Sequence, residues 1–406
     1  MTRFTYLILL YTVCACFAMP RGAIRQWMGA GSPVVPASLP NSSCPQGRSI
    51  PASAPPILRV TTVGRGPIAM ALDAQTGRVF VVNARDGTLS ALNATDGTLL
   101  STSSRILDRL DQLAVVGRTG RVFAASGVSD DIVVVNAATM GIVRLVRVGA
   151  HPRAIAVAER HGRVFVADDV GVHVLDARTG MVRATIPVRG GQVSAIAVDE
   201  QTGQVLVGAG RTLSALDVNT GAVRRTFRMG SDIGALAVAS TLGRIFVYDM
   251  GNETVTMFDA RTGVRLHATH LGSVVTEMAV TDRARRVYVT DTGGFDVLDA
   301  RSGTLLRAIH IGSYPYTVPA FDEHKGRTFV VSSGPCARKG RRQGIGVSVL
   351  DTTTATIRST IAVNPPPYPI AIGAPLIMVV TDEHSGRVFI SNAVANTVSV
   401  VDTRSS

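Results

Sequence analysis

Gly77-Arg78-Val79-Phe80-Val81 is a phrase that this chain writes eight times with small variations. Its first position recurs at Gly120, Gly162, Gly203, Gly243, Arg285, Gly326 and Gly386, with spacings of 43, 42, 41, 40, 42, 41 and 60 residues. A period near 40 built from short strands is the sequence signature of a β-propeller. One repeat reads strand by strand. In the third, residues 154–157 are a short apolar run and Gly162 sits in a turn. Residues 163–167 and 172–175 alternate, Asp176-Ala177-Arg178-Thr179-Gly180 is a second turn, and residues 182–188 are a fourth strand. The β-branched bias suits strands, and the regular glycines suit turns that need positive φ.

Naming the strands A to D from the axis outward, the A strands fall at residues 68–72, 113–116, 154–157, 195–198, 235–238, 278–280, 318–321 and 377–380. They are rich in alanine, which suits the crowded axis where blades converge. Strand counting predicts how the ring closes. The eighth repeat ends after its C strand, at residues 398–401, while a spare strand at residues 57–63 precedes the first repeat. The two ends complement each other, so the N-terminal strand should complete the last blade and remove the ring's open edges. The expectation is an all-β single propeller of eight four-stranded blades over residues 57–406. Seven is the alternative if the 60-residue step hides an irregular blade.

Now the last repeat carries a resemblance. Gly386-Arg387-Val388-Phe389-Ile390-Ser391-Asn392, followed by Asn396-Thr397-Val398-Ser399-Val400-Val401-Asp402, resembles the YVTN-type propeller repeat. Val79-Phe80-Val81-Val82-Asn83 and Val287-Tyr288-Val289-Thr290-Asp291 match more loosely. The likeness covers residues 57–404. It implies exported or cell-surface propellers, and related propellers include lactonases and redox enzymes. It does not name an activity, because function lives in sites grafted onto folds.

The region before the repeats has a different composition. Arg3 precedes an uncharged apolar run over residues 4–18, ending Cys16-Phe17-Ala18, which reads as a secretory signal peptide over residues 1–18. The alternatives are a lipoprotein, from the half-lipobox Val13-Cys14-Ala15-Cys16, and an N-terminal membrane anchor, for which the run is short. Residues 19–56 form a Pro-, Ser- and Ala-rich spacer, with seven prolines between Pro33 and Pro56 and the chain's single Trp, Trp27. Cys44 and Cys336 are the cysteines left after cleavage, and an exported setting permits a disulfide between them.

The formal charge is +12, from 39 Arg and the two lysines Lys325 and Lys339 against 29 acidic residues. The arginines are scattered through turns and strands, a pattern that reads as coding bias. Their one dense run is Arg338-Lys339-Gly340-Arg341-Arg342, a solvated loop suited to contact with an anionic surface through Arg338, Lys339, Arg341 and Arg342. Interleaved aromatics are absent, so nucleic acid is not the expected partner.

Strand order divides the loops between two faces. The A–B and C–D turns are monotonous, as in Asp199-Glu200-Gln201-Thr202-Gly203, Asp259-Ala260-Arg261-Thr262-Gly263 and Asp299-Ala300-Arg301-Ser302-Gly303. Their Asp side chains are expected to close Asx-turns. The D–A and B–C loops vary, so a ligand site belongs there. At the start of the A strands, Asp111, Arg153 and Glu277 are candidate ligand-orienting charges, and Tyr314, Tyr316 and Tyr368 are candidate aromatic anchors for a peptide or sugar. The carboxylates and amides that end the B strands, Asn83, Asp168, Asp249, Asp291 and Asn392, read as turn starts rather than metal ligands.

The sequence argues against several chemistries. There is no C-x-x-C-H for covalent haem, no Trp in any blade for a tryptophan-docked quinoprotein repeat, no recurring His position for a copper centre and no G-x-S-x-G nucleophile elbow. No cofactor and no metal are expected. The functional expectation is an exported, monomeric, non-catalytic binding or scaffold propeller at the cell envelope, secreted or envelope-associated. Its partner is an unidentified protein, peptide or carbohydrate, and the alternative is a channel-site hydrolase of lactonase type.

Overall fold

The computed structural model describes residues 56–149, 151–291, 294–309, 319–333, 345–363 and 377–404. Eight antiparallel four-stranded sheets follow one another in chain order, so the propeller has eight blades. Blade 3 is representative: A is Ala154–Ala158, B is Arg163–Ala167, C is Gly171–Asp176 and D is Val182–Pro187. Among the described residues the long seventh step holds no irregular blade. Blade 7 is an ordinary four-stranded sheet of Ala320–Asp322, Arg327–Ser333, Ile345–Asp351 and Ile357–Val363. The 60-residue step includes residues 334–344 and 364–376, which lie outside the described residues.

Closure is as the strand count requires. Val379–Asp382, Arg387–Asn392 and Thr397–Asp402 supply strands A to C of blade 8, and Ile57–Thr62 pairs antiparallel with Thr397–Asp402 as its outer strand. The register runs from Ile57 opposite Val401 to Thr62 opposite Thr397. Backbone bonds extend the pairing at both ends, from Val63 N–H to Asn396 O (3.0 Å) and from Asp402 N–H to Pro56 O (3.1 Å). Thr61 also donates to Gly97 O of blade 1 (2.6 Å), so the N-terminal strand touches both neighbours of the seam.

The core is divided among the seams between blades. The third residue of each B strand is large, apolar and buried: Phe80, Phe123, Phe165, Leu206, Phe246, Tyr288, Phe329 and Phe389. Each packs in a cluster shared with the next blade. Phe246 of blade 5, for example, joins Met278, Val280 and Val289 of blade 6. The last is Phe389 of blade 8, which joins Met70, Val79 and Leu92 of blade 1. Tyr288 keeps its hydroxyl by donating to Thr352 O of blade 7 (2.8 Å), and burial pushes its pKa up to about 12.

Polar latches reinforce the seams. In five blades the residue that opens strand B reaches to a backbone carbonyl just past strand C of the next blade. Arg78 donates to Ala137 O (2.6 Å), Arg121 to Arg178 O (3.1 Å), Gln204 to Ala260 O (3.5 Å), Arg327 to Thr403 O (2.5 Å) and Arg387 to Thr95 O (2.8 Å). Hydrogen bonds with a charged partner contribute about 1.5–3 kcal/mol each. In blades 5 and 6 the equivalent Arg244 and Arg286 pair instead with Asp259 and Asp299 of their own blades.

The repeated glycine is explained by its backbone. Gly77, Gly120, Gly162, Gly203, Gly243, Gly326 and Gly386 all have φ between 60° and 66°. At Gly77 a Cβ would meet nothing within 4 Å, so conformation rather than space selects glycine. Arg285 holds the same position in blade 6 with φ 54°. A left-handed non-glycine costs about 1–2 kcal/mol, and the extra unfolded-state freedom of glycine offsets about 0.4–1 of that. Arg285→Gly should therefore stabilise the propeller by about 0.5–1 kcal/mol, read as a higher denaturant midpoint at unchanged slope. An unchanged or lower midpoint would contradict this account of the turn.

Candidate functional site

The two faces of the ring differ in what their polar groups do. On the A–B and C–D face the turns are saturated as expected. Asp199 accepts from Gln201 N–H (3.1 Å) and Thr202 N–H (3.3 Å), Asp259 from Arg261 N–H (3.1 Å) and Thr262 N–H (2.8 Å), and Asp299 from Arg301 N–H and Ser302 N–H (both 2.9 Å). The residue after the first Asp position adds bonds between blades. Glu159 accepts from Arg118 N–H (2.8 Å), Glu200 from Arg160 N–H (3.2 Å), Asp282 from Thr241 Oγ1 (2.9 Å) and Glu383 from Glu323 N–H (2.7 Å). Sequence reasoning missed these acids. The signal was available, because Glu or Asp recurs at that one place in five of the eight turns.

The carboxylates that end the B strands, and Asn392, act as turn starts, whereas the Asn83 amide donates across to Thr88 Oγ1 (3.0 Å) and Ser90 Oγ (2.9 Å). Asp168 is fully buried and accepts from Val170 N–H (2.8 Å) and Gly171 N–H (2.7 Å), while its other oxygen meets His173 Nε2 at 2.8 Å. Asn392 accepts from Val394 N–H (3.1 Å) and Ala395 N–H (2.9 Å), and Asp291 from Gly294 N–H (2.6 Å).

The D–A and B–C mouth holds the charges that are left. Asp111 and Arg153 occupy the same place in adjacent blades. The Asp111 amide donates to Ala125 O (3.0 Å) and the Arg153 amide to Ala167 O (2.8 Å), in each case the last residue of strand B. Asp111 Oδ2 accepts from Gly127 N–H (3.0 Å), while Oδ1 is buried with no hydrogen-bond partner. Burial pushes its carboxyl up to about 6 against the opposing pull of Gly127 N–H and Arg109.

Arg153 is anchored by Asp169, with Nε 2.5 Å from Oδ1. Gln192 donates to the same oxygen (2.7 Å), and His151 Nδ1 lies 3.3 Å from Oδ2. Burial works to raise Asp169, but the bonds from Arg153 and Gln192 outweigh it and hold the carboxyl below its ordinary range. The network joins the loops around blades 3 and 4. Asp169, Gln192 and His151 were not singled out as ligand-orienting groups. The ladder offers a signal, because Ala154 opposite Ala167 brings residues 153 and 169 to the same mouth.

Glu277 does not join this group. It pairs with Thr290, the register place held in blade 5 by Ala235 opposite Tyr248, and the residue is 9% exposed. Thr276 is one residue earlier, and a one-residue step in a strand moves a side chain to the other face. Beside blades 4 and 5, Arg211, Gly230, Ser231, Asp232, Met250 and Gly251 line a shallow hollow of about 580 Å³. Tyr314, Tyr316, Tyr368, Cys44, Cys336, the basic run 338–342, the signal 1–18 and spacer residues 19–55 lie outside the described residues.

The comparisons with known proteins agree with this architecture. A family model described as outer membrane protein assembly factor BamB matches residues 85–242 and again 203–393, and the chain belongs to this propeller family. No curated protein matches by sequence. Among solved structures, BamB from Moraxella catarrhalis is 18% identical with a TM-score of 0.62, covering 86% of this chain and all of that one. The computationally designed protein Ika8 is 19% identical with a TM-score of 0.66, over the same shares. At these identities the likeness shows the fold. Among the described residues no helix is long and apolar enough to cross a membrane.

The position of Asp111 makes stability depend on pH. Its pKa in the folded protein lies above its ordinary value of 3.8. Between about pH 4 and pH 6 the folded state therefore keeps a proton that the unfolded chain has lost, and rising pH through that window weakens the fold. Asp111→Asn removes this contribution. The variant's melting temperature minus that of the wild type should grow from pH 4 to pH 6 and then stay level. A difference independent of pH would contradict the burial argument.

Proposed function

We propose that this chain is an exported, non-catalytic binding or scaffold propeller of the cell envelope. Its D–A and B–C mouth receives a polar segment of a protein partner. The observation that carries this reading is the division of polar groups between the two faces. On the A–B and C–D face they are largely taken up by turns and by bonds between blades. At the other mouth Arg153 is held by Asp169, which Gln192 holds in turn by donating to the same oxygen, and Asp111 keeps an oxygen without a partner. A fixed guanidinium beside a carboxylate suits the backbone and side chains of a peptide.

Further support comes from the family description, which names outer membrane protein assembly, and from the sequence of residues 1–56, with its signal-like start and proline-rich spacer. The YVTN-type likeness of the last repeat fits the same setting. In this reading the basic run 338–342 adds contact with an anionic surface, and a Cys44–Cys336 bridge ties the spacer to blade 7.

Site-specific photo-crosslinking in the producing cells tests the proposal. A photoreactive residue at position 111 or 192 should give defined adducts with an envelope protein, and one at position 201, on the opposite face, should not. Arg153→Ala should weaken those adducts. Equal adducts from both faces, or none from either, would overturn it. So would a hydrolase activity that disappears with Arg153→Ala.

A further inference from the structure

Blades 7 and 8 carry two closely similar A–B turns, Asp322-Glu323-His324-Lys325-Gly326 and Asp382-Glu383-His384-Ser385-Gly386. They are nevertheless bonded differently. In the turns of blades 1, 4 and 8 the first Asp gives its second oxygen to a hydroxyl three residues on. Asp73 accepts from Thr76 Oγ1 (2.7 Å), Asp199 from Thr202 Oγ1 (2.7 Å) and Asp382 from Ser385 Oγ (2.6 Å). In blade 7 that position is Lys325. Asp322 is 2% exposed and its Oδ1 accepts from Lys325 N–H (3.0 Å), but no hydroxyl is present to take Oδ2. The Lys325 ammonium is directed elsewhere, to Thr403 O at 3.0 Å.

Two further ligands converge at this incomplete turn. Glu383, from the adjacent blade, places Oε2 2.7 Å from His324 Nδ1 and uses Oε1 to accept Glu323 N–H (2.7 Å). One donor atom from each of Asp322, His324 and Glu383 lies within 4.8 Å of the others, the only such His, Cys, Asp or Glu group among the described residues. Beside them Glu323 Oε1 is buried without a hydrogen-bond partner. The repeat thus loses a stabilising hydroxyl from one buried carboxylate at the place where an imidazole and a second carboxylate meet it.

We propose that Asp322, His324 and Glu383 form a site for one divalent transition cation that fastens blade 7 to blade 8. Two carboxylate oxygens and one imidazole nitrogen are a mixed N/O donor set. It suits Zn²⁺ or Mn²⁺ better than Mg²⁺ or Ca²⁺, whose hard ions prefer oxygen alone. The ion takes the place of the proton that His324 Nδ1 and Glu383 Oε2 share, and it satisfies Asp322 Oδ2. Three protein ligands leave a coordination position for water. The site lies on the face opposite the proposed binding mouth, one blade seam from the ring closure, so its role is to stiffen the ring rather than to bind the partner.

The test uses the untagged full chain, stripped with a chelator and titrated calorimetrically with Zn²⁺, then with Mn²⁺ and Mg²⁺. One Zn²⁺ or Mn²⁺ per chain should bind, with a melting temperature that rises with the concentration of that ion because only the folded state holds it. Mg²⁺ should be much weaker. His324→Ala and Glu383→Gln should each weaken binding about tenfold or more. Glu383→Gln keeps an oxygen for Glu323 N–H, so its metal-free melting temperature serves as the check on folding. The proposal is overturned if neither Zn²⁺ nor Mn²⁺ binds. Equal binding to the wild type and to a folded variant carrying both His324→Ala and Glu383→Gln overturns it as well.

Discussion

Everything in this molecule depends on the seam between neighbouring blades. A single four-stranded sheet cannot bury its own faces, and its large B-strand residue finds a core only against the next blade. Eight such seams make a ring, and a ring is stable only if the last seam forms as well as the others. The Phe389 cluster between blades 8 and 1 has the same construction as the Phe246 cluster between blades 5 and 6. Truncating a buried Phe of this kind to Ala costs about 3–5 kcal/mol. The Arg387 bond to Thr95 O adds a polar latch to the closing seam, as Arg78 does to the first.

The division of labour between the two faces follows from the seams. Latches, Asx-turns and the acids of the A–B turns all lie at one face, where strand B begins and the turns are short. That face is occupied with holding blades together. At the other face the D–A and B–C loops carry less of this duty and differ from blade to blade. Asp111, Arg153 and Asp169 can therefore be arranged there for something other than the fold. Blades 7 and 8 are the exception, since their A–B turns bring together more acidic groups than the turns use. Burial and the neighbouring Glu383 push Glu323 up to about 7.

Much of the architecture was legible because it is local and periodic. Strand alternation, the recurring glycine and the unequal ends predict eight blades and closure by residues 57–63. The structure closes with Ile57–Thr62. What was not legible depends on contacts between repeats. The arginines looked like coding bias, yet Arg78, Arg121, Arg327 and Arg387 are seam latches whose acceptors lie 57 to 292 residues away. Glu277 looked like a mouth residue because its strand begins there. Its register, visible only once the ladder is known, puts it in a place that blade 5 fills with alanine. Met140 and Ala355 stand where other C–D turns have glycine, and both carry positive φ with a buried side chain. Each joins the core shared with the preceding blade, which the turn motif alone does not reveal.

The central claim is that one strand from the beginning of the chain completes the blade at its end, and that the ring's cooperativity rests on that pairing. Thermal unfolding of the full chain beside a chain lacking residues 57–63 tests it most directly. The shortened chain should lose its single sharp transition or fall out of solution, because strand Thr397–Asp402 is left with an open edge. A shortened chain that melts at the same temperature and with the same steepness as the full one would contradict the account.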